Sequence, residues 1–204
     1  MTNVTTRLGR PLPGEAEALE RLHARLESDA ARDHLLDVAY RTIDSPLGTL
    51  LLAATERGLV RVAYEIEDHD RVLDAIAAKV SPRILRSPRR LDDTARELDE
   101  YFTGARTSFD LRLDFALSQG FRRTVLDHLP QIGFGHTESY AQVAQATGSP
   151  RAVRAVGTAC ATNPLPLVVP CHRVVRSDGS YGQYAGGAEA KRMLLRMEAS
   201  RLAA

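Results

Sequence analysis

The sequence has little cysteine: Cys160 and Cys171 are the only two in 204 residues. Two cysteines cannot build a scaffold of several disulfide bridges or a four-cysteine zinc site. The histidines other than His172 are scattered along the chain and form no cluster in the sequence. We therefore expect no bound metal, no cofactor and a reducing, cytoplasmic setting.

Long hydrophobic runs and a strong net charge are also missing. The longest unbroken apolar run, Leu50–Ala54, is far shorter than the ~20 residues that a membrane-spanning helix needs. No apolar segment typical of a secretory signal follows the first residues, so we expect no membrane partner. With 44% hydrophobic and 26% charged residues, the composition is typical of a soluble globular protein and excludes a wholly disordered chain.

The net charge of +1 conceals an uneven distribution. Residues 120–204 hold ten basic and five acidic side chains, a net charge of +5, which leaves −4 for residues 1–119. A basic C-terminal part is modest support for a polyanionic partner such as nucleic acid. An arginine-rich solvated surface explains the same pattern equally well.

The first half of the chain predicts a leader followed by an α+β domain. Residues 1–36 form the leader, whose role is unknown, with an amphipathic helix over Glu15–Leu36. Residues 37–118 form the N-terminal domain, in which three β-rich runs separated by turn sequences predict an antiparallel meander. These runs are Val38–Ile43, Thr49–Thr55 and Leu59–Glu65. The other predicted elements are two helices and a returning strand, over Val72–Val80, Thr94–Phe102 and Phe109–Phe115.

The second half, residues 119–204, predicts a mostly helical domain. Ser139 is a typical N-cap for a helix through Ala146, and Ser149 for a second helix that ends near Ala161. Two short helices joined by a tight turn indicate a helix-turn-helix, although many helical proteins contain such a corner. The other helices are predicted over Phe121–Leu129 and Ala188–Ala199. The fold class is therefore α/β (α+β), with a small antiparallel sheet and helices followed by a helical domain.

The most informative stretch surrounds Cys171. Prolines flank the apolar run Leu167–Val169, exclude a regular helix there and predict an extended segment with Cys171 at its end. His172 follows directly and can draw the proton from the thiol, either itself or through one water. Glu198, on the last helix, is the carboxylate that we nominate to fix the tautomer of this imidazole.

Both cysteines also have a purely structural interpretation. A thiol beside an apolar run is usually an inert part of the core, and adjacent side chains on an extended chain point in opposite directions. The Cys171-His172 pair alone therefore favours the structural interpretation, and the flanking prolines shift the balance only in part. Cys160 lies among small residues late in a predicted helix, where it is better explained as buried filler.

Several short segments follow one another along the chain in a particular order. They are Ser139-Tyr140, Pro150–Gly157, Asn163-Pro164, Pro170–Val174, Tyr184–Gly187 and Leu194–Glu198. In this order the segments resemble the O6-alkylguanine-DNA alkyltransferases, also called methylated-DNA–protein-cysteine methyltransferases. The resemblance covers about Val38 to Ser200, and the Pro-Cys-His-Arg-Val box is its most specific part. Residues 1–36 lie outside it.

The resemblance implies a role for each matching position. Cys171 is the alkyl acceptor, His172 its base through a water, and Glu198 the carboxylate that orients the imidazole. Asn163 braces the bend before the cysteine, and Tyr140 lies by the phosphate of the flipped nucleotide and assists the departure of guanine. The resemblance also implies a set of DNA contacts, in which Arg154 enters the base stack and the others are Arg151, Ala152, Ala155 and Arg173. The base pocket is lined by Val174, Tyr184 and Ala185.

The implied function is DNA repair by an enzyme that acts once. The alkyl group of O6-methylguanine in double-stranded DNA, and also of O4-methylthymine, is transferred to Cys171 after the nucleotide is flipped out. Because the thioether product has no carbonyl for water to attack, we expect one turnover per molecule. We expect a monomer, with cooperative assembly along DNA as the alternative.

Two other functions stay open on the sequence. One is a helix-turn-helix protein that recognises alkylated DNA and has a structural cysteine box, although such a protein has no need of a presented thiol. The other is a cysteine hydrolase that uses Cys171 and His172. A hydrolase needs an oxyanion hole, and the sequence has no separate motif for one.

Overall fold

The computed structural model describes residues 14–33 and 35–202, and the first thirteen residues of the expected leader lie outside this description. The chain divides between Leu36 and Asp37 into two units. The first unit contains helix α1, Glu15–Arg32. The predicted helix is confirmed, although it ends at Arg32 rather than Leu36.

The second unit begins with a four-stranded sheet, which contains the predicted meander. Its strands are β1 (Val38–Ile43), β2 (Leu50–Thr55), β3 (Gly58–Tyr64) and β4 (Ile84–Arg86). Strands β1, β2 and β3 pair in antiparallel register, with Tyr40 opposite Ala53 and Leu52 opposite Val62. The unpredicted β4 adds to β1 in parallel, so the strand order is β3-β2-β1-β4.

Strand β2 is apolar at five consecutive positions because both faces of the sheet are covered. Leu50 and Leu52 belong to the large core shared with the C-terminal helices, whereas Leu51 and Ala53 pack with helix α2 (His69–Lys79). Alternate residues of a strand point to opposite faces, so an uninterrupted apolar run is typical of a strand buried on both sides.

Helix α3 (Asp92–Thr103) ends at Gly104, as the sequence predicts. Gly104 adopts the left-handed conformation that glycine favours at the end of a helix, with φ of +90°. The segment after it does not form the expected strand over Phe109–Phe115, since it makes only an isolated bridge between Leu113 and Leu59. That bridge passes so close to Gly58 that a Cβ atom there would lie 2.2 Å from the carbonyl oxygen of Arg112.

Four helices and a two-stranded parallel sheet make up the rest of the unit. They are α4 (Phe121–His128), β5 (Glu138–Ser139), α5 (Tyr140–Ala146), α6 (Val153–Ala161), β6 (Val174–Val175) and α7 (Gly187–Leu202). Helices α4, α5 and α6 pack against one another, and β5 pairs with β6. Among the helices that the structure describes, none is long and apolar enough to cross a membrane.

Helices α5 and α6 form the predicted pair of short helices. Ser139 caps α5 with a capping box, because its hydroxyl accepts from the N–H of Gln142 while the Gln142 side chain accepts from the N–H of Ser139. Ser149, however, does not cap α6. Its carbonyl accepts from the N–H of Ala152 in a tight turn, so α6 begins only at Val153.

Candidate active site

Cys171 stands at the start of a single helical turn, Cys171–Arg173, which follows a compact bend. The preceding residues do not run extended as the prolines predicted. Leu167 has φ of +73°, a left-handed conformation that is uncommon for a side chain of this size, and the N–H of Val169 donates to the carbonyl of Leu165. The bend replaces the expected extended segment and carries Cys171 into the core.

Asn163 holds this bend from inside. Its Nδ2 donates to the carbonyl of Val169 over 2.8 Å, and its Oδ1 accepts from the N–H of Leu165 over 2.9 Å. The side chain is buried, so each bond satisfies a polar group that would otherwise be unpaired away from water. This geometry supports the bracing role that the resemblance implies for Asn163.

His172 and Glu198 form a fully buried pair, with His172 Nε2 2.9 Å from Glu198 Oε1. A carboxylate can only accept, so Nε2 carries the proton of a neutral imidazole. Burial lowers the pKa of His172 and outweighs the opposing effect of Glu198, which keeps the ring neutral at pH 7. Nδ1 is therefore an acceptor, and it has no hydrogen-bond partner within the described residues. The site thus contains an unused base one residue from the thiol.

The Glu198 carboxylate accepts hydrogen bonds from four residues, of which His172 and Arg173 belong to the same helical turn. Besides His172, it accepts from the Tyr101 hydroxyl over 2.7 Å and from the N–H of Gly135 over 3.0 Å. Burial opposes its charged form, but the hydrogen bonds from His172 and Arg173 outweigh burial and lower the pKa of Glu198. Glu198 is therefore a permanent anion around which the site is organised. The sequence reasoning did not identify Tyr101 or Gly135, which precede Glu198 by 97 and 63 positions.

Arg173 is not a DNA contact, contrary to the expectation. Its guanidinium is buried, with Nε 3.0 Å from Glu198 Oε2, Nη2 2.9 Å from Glu198 Oε1 and Nη1 2.7 Å from the carbonyl of Ile132. The helical turn at Cys171–Arg173 directs this side chain inward. A buried bidentate ion pair of this kind fixes the carboxylate in place, and its burial keeps the guanidinium away from a DNA phosphate.

The Cys171 thiol is buried, with 1% of the residue exposed. The expectation of a thiol presented at the surface is therefore wrong for the free protein. Burial raises the pKa of the Cys171 thiol to about 11, against the opposing effects of a hydrogen bond with the Asn163 side chain and the charge of Lys191. The free protein therefore holds a protonated, shielded sulfur. A reaction needs both a route to this sulfur and a base for its proton.

A cavity of about 490 Å³ adjoins the site, and Tyr184 and Ala185 line it. Tyr184 is buried, its ring lies 6.2 Å from that of His172, and burial raises its pKa well above 10. Val174 is buried beside Cys171 at the start of β6, outside the cavity lining. The geometry thus supports Tyr184 and Ala185 as walls of a base-sized pocket.

Lys191 is a buried cation that the sequence reasoning missed. Its Nζ donates to the carbonyl of Val174 over 2.6 Å and lies 6.0 Å from the centre of the Tyr140 ring. Burial lowers the pKa of Lys191, and the nearby thiols of Cys171 and Cys160 partly offset this effect. The signal was available, since Lys191 falls on the same helical face as Leu194 and Glu198.

The expected DNA contacts on and before α6 are accessible. Arg151, Arg154 and Ala155 are exposed and Ala152 is half-buried, and neither arginine has a carboxylate partner in the described part of the chain. Tyr140 begins α5, and its hydroxyl lies against Gly182, where a Cβ atom would come within 2.1 Å of it. Burial raises the pKa of Tyr140 to about 12, so its hydroxyl stays protonated and able to donate.

Cys160 is buried in α6 as a free thiol, consistent with its interpretation as filler. Within residues 14–33 and 35–202, no group of three or more histidine, cysteine or carboxylate side chains could hold a metal ion.

Two family models match consecutive parts of the chain. One, described as 6-O-methylguanine DNA methyltransferase, ribonuclease-like domain, matches residues 38–115, and the other, the DNA binding domain of the same family, matches residues 120–200. The methylated-DNA–protein-cysteine methyltransferase of Methanosarcina barkeri is 36% identical over 163 residues, which cover 80% of this chain and 98% of that protein. The chain belongs to this family.

Other methylated-DNA–protein-cysteine methyltransferases are similarly close. That of Mycolicibacterium paratuberculosis is 37% identical over 161 residues, covering 79% of this chain and 92% of the relative. The crystal structure of Mycobacterium tuberculosis OGT in complex with DNA has a TM-score of 0.70 at 36% identity, covering 80% of this chain and 94% of that one. These matches confirm the family and the fold class expected from the sequence.

Proposed function

We propose that this methyltransferase repairs DNA by moving an alkyl group from O6 of guanine to Sγ of Cys171. The observation that carries the proposal is the buried set of Cys171, His172 and Glu198, in which the carboxylate fixes the imidazole and leaves Nδ1 unprotonated. The relatives' names state the same acceptor, a protein cysteine.

In the proposed reaction a proton leaves Sγ of Cys171 and an alkyl group takes its place. His172 Nδ1 takes the thiol proton, directly or through a water, and the resulting imidazolium is stabilised by the Glu198 carboxylate. The thiolate attacks the O6-alkyl carbon, a carbon–sulfur bond forms, and the carbon–O6 bond breaks. The departing guanine takes a proton from the Tyr140 hydroxyl, and the proton held by the His172 imidazolium returns through water to the Tyr140 oxygen, so that both side chains end neutral. The product thioether resists hydrolysis, so each molecule acts once.

Access to the buried sulfur requires two changes. The alkylated nucleotide leaves the base stack, at a cost of a few kcal/mol, and the segment Tyr181–Gly187 shifts so that the base reaches Cys171 from the adjoining cavity. The exposed Arg154 at the start of α6 enters the stack and offsets part of the flipping cost, with Arg151, Ala152 and Ala155 beside the backbone. Tyr184, Ala185 and the backbone of Val174 then hold the base.

We further propose the wider setting of this activity. Residues 37–118 and 119–204 act as an N-terminal and a C-terminal domain, with DNA and alkyl-transfer chemistry on the second. The partner is double-stranded DNA that contains alkylated guanine, with O4-methylthymine as a second substrate. The protein works as a cytoplasmic monomer, and cooperative assembly on DNA is the alternative.

Peptide mass spectrometry tests the transfer. Protein is incubated with a duplex that contains one O6-methylguanine, then digested, and the peptide with Cys171 is weighed. We expect stoichiometric methylation of Cys171, none in Cys171→Ala, and full methylation in the matched control Cys160→Ala. Bound duplex with an unmodified peptide would indicate a recognition protein without repair, and many turnovers per molecule would indicate a hydrolase; either result overturns the proposal.

A further inference from the structure

A second cavity, of about 580 Å³, opens between α2 and the C-terminal end of α6. Four basic side chains line it, and we name it the basic cleft after them: Arg61, Arg71, Lys79 and Arg122. Thr162 and Asn163 also line it, and among the described lining residues Glu67 is the only acidic one. Arg71 and Lys79 come from α2 and Arg122 from α4, so the fold brings these cations together. They do not form a run of basic residues in the sequence.

Helix α2 presents its cations to the cleft and its acids elsewhere. Arg71, Ala75 and Lys79 recur every four residues and all line the cleft, because residues at that spacing share one face of a helix. Asp70 and Asp74 on the same helix are absent from the lining. The helix therefore contributes two positive charges to the cleft and none of its negative charges.

Most of the positive charge in the cleft is unmatched. Arg61 forms an ion pair with Glu67 and also reaches the carbonyl of Asn163 over 3.4 Å. Arg71, Lys79 and Arg122 are exposed, and none of them pairs with a carboxylate in residues 14–33 or 35–202. By contrast, Arg123, next to Arg122, is held by Asp127 at 2.7 Å. Three cations thus face an open concave surface, and in the described part of the chain the carboxylate nearest to them in the cleft, Glu67, is already paired with Arg61.

The cleft continues the exposed face of α6. Arg154, Thr158 and Ala161 are exposed and follow one another at helical spacing, and Ala161 lines the basic cleft as well as the cavity beside Tyr184. At 1.5 Å per residue, Ala161 lies ~10 Å along the helix from Arg154. The cleft therefore begins ~10 Å from Arg154 along the axis of α6.

We propose that the basic cleft binds backbone phosphates of the DNA strand that leaves the exposed face of α6. The proposal rests on the proposed DNA repair function and extends it to residues of the N-terminal part of the chain, Arg61, Arg71 and Lys79. We choose phosphate as the ligand because lysine and arginine side chains in the cleft are suited to bind it. The described lining residues include no aromatic side chain on which a base could stack. Contacts of this kind hold the duplex in register without reading its sequence.

Salt dependence of duplex binding tests the proposal. The variant Arg71→Gln/Lys79→Gln/Arg122→Gln is compared with the wild type by fluorescence anisotropy, at several salt concentrations, on a long duplex and on one too short to pass α6. We expect the plot of log affinity against log salt to become shallower by about 2 to 3 on the long duplex, since each lost phosphate contact removes ~0.9. On the short duplex the two proteins should bind equally.

Two controls separate the cleft from general charge and from the chemistry. Arg89→Gln removes an exposed arginine outside the cleft and should leave the slope unchanged. Methylation of Cys171 by free O6-methylguanine base should proceed at the wild-type rate in the triple variant, because no phosphate takes part. An unchanged slope in the triple variant, or an equal loss with the short duplex, overturns the cleft proposal. Failure of the wild type to methylate Cys171 overturns the proposed function instead.

Discussion

The hydroxyl groups of Tyr64 and Tyr184 lie 2.6 Å apart, and their rings meet edge to face with centroids separated by 5.6 Å. Tyr64 ends strand β3, whereas Tyr184 forms a wall of the cavity beside Cys171. The Tyr64 ring also lies so close to Gly186 that a Cβ atom there would come within 2.9 Å of it. The sheet therefore supports one wall of the cavity that we propose as the base pocket.

Tyr64→Phe removes one hydroxyl of this buried pair and leaves the other without its partner. We expect the free energy of unfolding to fall by ~1–2 kcal/mol, because an unsatisfied buried hydroxyl costs about that much. Urea denaturation measures the loss. Tyr40→Phe is the matched control, since Tyr40 is half-buried and its hydroxyl has no hydrogen bond in the described chain. Equal stability of the two variants would mean that the Tyr64–Tyr184 bond contributes nothing.

Glu198→Gln keeps the shape of the side chain and removes the negative charge that accepts hydrogen bonds from His172 and Arg173. We expect methylation of Cys171 to slow by at least tenfold, because the imidazolium formed during proton transfer loses its counter-charge. Stability should fall by about 3 kcal/mol, since Arg173 is left buried without its anion. Single-turnover kinetics and denaturation measure the two effects. Glu189→Gln, an exposed position on the same helix, should change neither, and a wild-type rate in Glu198→Gln would remove Glu198 from the activation step.

The buried thiol gives the folded protein a characteristic pH profile. With its pKa raised to about 11, Cys171 in Cys160→Ala should react with iodoacetamide faster at each step of rising pH up to that value. At pH 8 the thiolate population should be about 100-fold below that of a cysteine whose pKa is 9.0, because that value and a pKa of about 11 differ by about two units. The urea-unfolded protein provides the reference rate. A plateau near pH 9 in the folded protein would contradict the proposed shielding.

Arg154→Ala tests the extrusion of the nucleotide. We expect repair of a fully paired duplex to slow by 10-fold or more, while methylation by the free base stays unchanged, because only the duplex reaction includes flipping. Placing the lesion opposite an abasic site lowers the cost of flipping and should restore most of the rate. Arg112→Ala, an exposed arginine after α3, controls for loss of charge. Slowing that persists opposite the abasic site would assign Arg154 to simple phosphate binding.

The sequence predicted those elements whose signals are local. The meander followed from apolar runs separated by turn residues, and the start of α5 followed from Ser139, a typical N-cap residue. Strand β4 was missed because three residues carry no periodicity and its pairing with β1 depends on α2 returning the chain to the sheet edge. Local patterns cannot specify such a parallel addition.

The active site was predicted unevenly for the same reason. The order of Cys171, His172 and Glu198 predicted that they share one site, whereas the direction of each side chain depended on a bend with Leu167 at positive φ. Arg173 was therefore assigned to DNA although it faces Glu198. Tyr64 and Tyr101 were not predicted because their partners, Tyr184 and Glu198, lie 120 and 97 positions away in the sequence.

The tight enclosure of Cys171 has a consequence for the protein after repair. The Cys171 residue is 1% exposed and belongs to the packed core, so a methyl group left on its sulfur has no prepared space. An added methyl in a packed interior typically costs ~1–3 kcal/mol. The spent molecule is thereby physically distinguishable from the fresh one by lower stability, and proteolysis that follows the unfolded fraction would clear used copies first.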